Sequence, residues 1–193
     1  MAMRWGDVAG ELDDYLHKGD LDHCIEHVSQ IIAAMPQTPF HLVLTSEFTN
    51  APQQVAFHFD TFFAEMREFA PGAIYTETNG FFINPDRWYF ELFGYRAYGG
   101  REDYDWLANW DAMSQESITL IGMESLQQVY KQYKILPDDA DPVLRQVNDL
   151  SDLLVVYKFQ NLIKQSVPLM QKVRCPLMAT SHEFDIIAEF TPS

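Results

Sequence analysis

From about Val143 to Gln165 the chain carries apolar residues on two stripes. Val143, Val147, Leu150, Leu154 and Tyr157 recur at helical spacing, while Val155, Phe159, Leu162 and Ile163 fall on a second face. One apolar stripe suffices for a helix lying on a surface, so a helix with two must be buried on both sides or bend. Other elements have to be arranged around it. At 193 residues the chain is long enough to bury such a helix in one domain with a sizeable core.

The N-terminal third supplies helices. Trp5, Val8, Ala9, Leu12, Tyr15 and Leu16 form one stripe, and Gly19 sits where a left-handed stop is expected. Asp20 is placed to cap a second helix carrying Leu21, Cys24, Ile25, Val28, Ile31, Ile32 and Met35 up to Pro36. Residues 1–36 therefore read as a helical hairpin, the one part that could stand as an appendage to a single domain over 1–193. A third helix runs from Pro52 to about Ala70 with Val55, Phe59, Phe62, Phe63, Met66 and Phe69 on one face. Phe57 lies off that face, which implies a second contact, with the hairpin or with another subunit in a homo-oligomer.

Strand signals lie between and after these helices. Phe40 to Ser46 reads as a central strand. Ala73 to Thr78, Phe81 to Ile83 and Arg87 to Tyr98 read as a meander, broken by Asn79-Gly80 and by Asn84-Pro85-Asp86. Ser117 to Ile121 and Phe184 to Phe190 add two more strands, a helix is expected near Met123 to Lys134, and Ile135 to Pro142 reads as a loop. The elements do not alternate as βαβ units and the turns favour antiparallel neighbours. The expected fold class is α+β: a mainly antiparallel mixed sheet packed by helices, with an N-terminal helical hairpin.

Charge narrows the function classes. Asp and Glu number 28 against 13 Lys and Arg, a formal net charge of -15. Without a basic run, nucleic acid and anionic membranes are disfavoured as partners, because both require clustered positive charge. Two cysteines, Cys24 and Cys175, without CxxC spacing, and a start lacking a continuous apolar segment, lead to the expectation of a reduced, cytoplasmic protein.

Chemical motifs are incomplete. His23-Cys-Ile-Glu26-His27 fits H-x-x-E-H, a zinc signature. At about 100° per residue, however, His23 lies about 140° and Glu26 about 160° from the core stripe, which leaves them facing solvent without a third ligand or a cleft. Gly94 to Arg101 has phosphate-loop glycine spacing without the Lys-Ser/Thr pair, and Asp138-Asp139-Ala-Asp141 lacks the calcium-loop glycine. Asp141 is better placed as a helix cap before Pro142. Neither cysteine sits in a nucleophile setting. His41 and His58, with Glu47 or Asp60, are the residues from which a dispersed hydrolase-like site would have to be assembled. No cofactor and no metal are expected.

The strongest binding signal is the segment 101–116, where acids interleave with large rings. Glu102, Asp103, Tyr104, Asp105, Trp106, Trp110 and Asp111 are the candidate partner-binding residues. Aromatic rings concentrate binding energy when desolvated, and carboxylates steer a basic partner toward them. The competing explanation is that the two tryptophans tuck a short helix onto the sheet. The leading expectation is a non-enzymatic protein that binds a basic protein, in the manner of an immunity or antitoxin-type inhibitor of a cationic toxin. A small enzyme and an adaptor subunit are the alternatives.

Overall fold

The computed structural model describes residues 4–81, 83–101, 103–133, 136–137, 139–182 and 184–192. At its centre is helix α5, Pro142–Ser166, capped by Asp141, whose carboxylate accepts the Val143 N–H at 2.8 Å. Every residue from Leu150 to Gln160 is buried, so burial on both sides is how the two stripes are housed. α1 (Trp5–His17), α2 (Leu21–Ala33) and α3 (Pro52–Glu65) pack against it, as does the sheet.

Several polar residues that α5 carries into this interior are tied down, while Asn148 Oδ1, Tyr157 Oη and Gln160 Oε1 are buried without a hydrogen-bond partner among the described residues. Lys158 Nζ donates to the carbonyls of Val43 and Ser46, at 2.9 and 2.6 Å, and to Glu47 Oε1 at 2.6 Å. Gln160 Nε2 donates to the Ala179 and Ile186 carbonyls. Asp152 accepts from Tyr130 Oη at 2.6 Å, and burial pushes its carboxyl well above the usual carboxylate range.

The helical hairpin forms as its caps predict. Asp20 accepts the His23 N–H at 3.3 Å, Gly19 adopts φ 71°, and Val8, Leu12, Leu16, Leu21, Cys24, Val28 and Ile32 are buried in the same core as α5.

Phe40 to Ser46, expected as a strand, is instead a 3-10 turn over Pro39–Leu44. A short apolar run does not distinguish the two. Pro39 presets the turn, and Lys158, more than a hundred residues away, captures its carbonyl ends.

The sheet is formed by β1 (Ala73–Thr78), β2 (Tyr89–Tyr95), β3 (Ala112–Met113), β4 (Ile118–Thr119), β5 (Leu177–Ser181) and β6 (Ala188–Phe190). The order is β3-β2-β1-β5-β6, with β4 also on β2; β1 and β5 are parallel and the other pairs antiparallel. With helix α4 (Glu124–Gln132) this is an α+β fold with an N-terminal helical hairpin.

Three strand assignments need correction. Phe81 and Ile83 lie in turns, and Phe82 is outside the described residues, so β1 and β2 are joined by a wide loop rather than by a meander strand. The reason is packing: Phe81 packs at a tilt on Trp88 with centroids 4.9 Å apart, both rings are buried, and Asn79 closes the loop through Tyr89 N and the Arg87 carbonyl. The last strand shrinks to Ala188–Phe190 at the sheet edge. β5, wholly buried between β1 and β6, was not anticipated from sequence, because its five residues show neither alternation nor a flanking hairpin turn. α3 ends at Glu65, short of Ala70, where Met66 and Phe62 press onto β2 at Gly94; a Cβ there would fall on the Met66 sulfur. Lys134 and Ile135, at the junction of the expected helix and loop, lie outside the described residues.

Candidate functional site

Alternation along β1 and β2 gives the sheet two unlike faces. Ile74, Phe90 and Leu92 point into the main core beside Thr76 and Thr78. The other face presents Ala73, Tyr75, Glu77, Glu91, Phe93 and Tyr95, paired across the strands as Ala73 with Tyr95, Tyr75 with Phe93 and Glu77 with Glu91.

The segment 104–110 covers one end of this outer face. Trp106 and Leu107 pack on a small cluster of Ala73, Tyr75, Phe93, Tyr95 and Met178. The Trp106 indole N–H donates to the Gly100 carbonyl at 3.1 Å, and its ring meets Tyr95 and Tyr98 edge-on, at 4.8 and 5.8 Å. Trp106 is thus a clamp that seats the segment. Trp110, 51% exposed, leans toward Phe93 with centroids 6.3 Å apart.

The remaining candidates from the sequence scatter. Asp103 accepts the Asp105 N–H, and Asp111 binds Arg96 through its N–H and Nε, at 2.8 and 3.0 Å. Asp105 is exposed at the start of the 3-10 turn Asp105–Ala108. Tyr104 is half-buried and lines a different depression, about 440 Å³, beside α1. Glu102 lies outside the described residues. Of the six described members of the seven-residue set, Trp110 is the one that reaches the uncovered part of the sheet.

That uncovered part holds two adjoining depressions of about 320 and 230 Å³ that share Glu77 and His182 as a common wall. Tyr75, Phe93 and Trp110 line the first, with Tyr75 and Phe93 centroids 5.8 Å apart; Tyr89, Glu91 and the exposed Ile83 line the second. Tyr75 Oη donates to Glu77 Oε2 at 2.7 Å, and His182 Nδ1 lies 3.5 Å from Oε1. Burial, with Glu77 adding to it, raises the Tyr75 hydroxyl well above its ordinary range.

Glu77 and Glu91 sit directly opposite one another, an arrangement that destabilises a strand pair. Desolvation and the Glu77 charge push the Glu91 carboxyl upward, with Arg87 pulling the other way. Among the described residues no Lys or Arg forms an ion pair with either carboxylate. In the larger depression near α1, His17 Nδ1 lies 3.3 Å from Asp13 Oδ1 and Arg101 pairs with Glu189 at 2.8 Å.

Of the residues considered for catalysis, His41, Asp60 and Glu47 are engaged by structural partners, whereas the buried His58 Nε2 has no hydrogen-bond partner among the described residues. His41 Nε2 lies 2.9 Å from the Ile32 carbonyl, and its Nδ1 accepts the Thr38 N–H. His58 packs separately, edge-on to Phe90, with its pKa lowered by burial. Asp60 accepts three successive N–H groups, from Gln171, Lys172 and Val173. His23 stacks on Tyr15 at 3.9 Å, and among the described residues no group of three or more His, Cys, Asp or Glu is arranged to hold a metal. Asp138 of the acidic loop lies outside the described residues. Cys24 and Cys175 are buried, their thiols raised to about 11 by burial. No described helix is long and apolar enough to cross a membrane.

The sequence missed Glu77, Glu91, Tyr75 and His182. The alternation Tyr75-Thr76-Glu77 and Glu91-Leu92-Phe93 was a usable signal, but assuming a tight Asn79-Gly80 turn sets Thr78 opposite Phe81 and separates the two glutamates. No protein-family model, curated protein or solved structure matches this chain.

Proposed function

We propose that this protein binds a basic protein partner through the outer face of its sheet and acts by masking that partner, as an immunity or antitoxin-type inhibitor does. The observation that carries this reading is the exposed Trp110 ring beside the opposed Glu77 and Glu91 carboxylates, on the part of the sheet that 104–110 leaves uncovered. Rings at such a site gain energy when desolvated, and a chain of formal charge -15 draws a cationic partner toward them.

The test is capture from the native source at about 50 and 500 mM salt, with the retained protein identified. The expected result is a basic partner held at low salt, with association slowed in a Glu77→Gln/Glu91→Gln variant and dissociation hastened in Trp110→Ala. A partner whose binding ignores both variants would sink the reading.

A further inference from the structure

We propose that the depression walled by Trp110, Phe93 and Tyr75 seats an arginine side chain of that partner, its guanidinium reaching the Glu77 and Glu91 carboxylates. The inference rests on the function proposed above and specifies its anchor. Three observations converge on arginine.

First, Trp110 offers a face of its own rather than a sealed core: it is 51% exposed, and the depression of about 320 Å³, floored by the buried Tyr75 and Phe93, opens beside it. A planar cation stacked on such rings is favoured by their negative faces. Second, two carboxylates opposed across a strand pair have side chains rooted about 5 Å apart. A flat fork of several N–H donors can address both, whereas an ammonium is a compact point charge. Their mutual repulsion is a standing cost that a cation between them removes. Third, the molecule already uses this contact at its own margins. Arg87 lies 4.9 Å over the Tyr89 ring and Arg96 lies 4.5 Å over Phe69. Arg87 is held aside by Thr119 and Ser117, so it does not fill the seat.

The experiment uses the full chain and three capped tripeptides, Gly-Arg-Gly, Gly-Lys-Gly and Gly-citrulline-Gly, titrated while the Trp110 indole N–H resonance is followed. The arginine peptide is expected to shift that resonance saturably, with a dissociation constant of about 1–10 mM. The lysine peptide should bind more weakly, and the uncharged citrulline peptide should leave the resonance in place. Glu77→Gln/Glu91→Gln should weaken the arginine response about tenfold. An equal response to citrulline or lysine, a response unchanged in the double variant, or none at all would overturn the seat. If the arginine peptide fails while the captured partner still depends on Trp110, the face stands and the seat is wrong. If the partner ignores the face altogether, the functional reading itself falls.

Discussion

The two faces of the β1–β2 pair share a backbone and differ in nearly everything else. Ile74, Phe90 and Leu92 are buried in the main core, whereas on the opposite side of the same strands Glu77, Glu91 and Tyr89 stand on a surface that 104–110 covers only in part. The inner face obeys packing alone, and repulsion there would find no relief. The outer face retains two carboxylates in direct opposition, a choice that costs stability and has no counterpart in the core. A surface that bears such a cost is better understood by what it meets than by what it supports.

That contrast can be broken most forcefully at Phe90, whose ring touches Phe59 and Phe159. Phe90→Ala should lower unfolding free energy by about 3–5 kcal/mol in denaturant titrations, while Trp110→Ala should stay within about 0.5 kcal/mol. Comparable losses would mean that both faces are structural.

A second test contrasts buried with exposed acids. Asp152 is raised above its ordinary 3.8 by desolvation, so between the unfolded and the folded value the folded state binds this proton more tightly than the unfolded chain does. Stability from this group is complete below the unfolded value and declines as pH rises toward the folded one. Asp152→Asn, which keeps an acceptor for Tyr130, should therefore stabilise the fold at neutral pH. The gain should shrink as the solution is acidified toward pH 3.8, as thermal melts across pH would show.

The smallest effect is expected at the outer pair. Glu91→Gln should raise stability by roughly 0.2–1 kcal/mol by removing like charges across the strands, with the gain reduced in high salt. A loss instead would show that Glu91 is held by its own fold.

The acid-aromatic segment was recognisable in the sequence as a unit, yet it divides in three dimensions. Trp106 spends its N–H on Gly100 and clamps the sheet, while Trp110, four residues on, turns outward. Spacing along a chain does not say which ring finds a carbonyl. Likewise His41 and Asp60 looked available in a list of titratable residues and prove to be consumed by Ile32, Thr38 and the turn at 171–173.

The amino-acid order alone determined the helical hairpin with its Asp20 cap, the α5 start at Asp141, the mixed α+β class and the acidic charge. Each depends on contacts within a few residues or on simple counting. The 3-10 turn at Pro39–Leu44, the parallel β1–β5 pairing and the opposition of Glu77 to Glu91 were decided only by tertiary structure. Their causes are partners beyond the reach of local periodicity: the Lys158 ammonium on the carbonyls of Val43 and Ser46, the burial of Leu177–Ser181 between two strands, and the tilted Phe81–Trp88 contact that widens the β1–β2 loop. Local periodicity carries no record of such partners, because their energy exists only once the chain has closed upon itself.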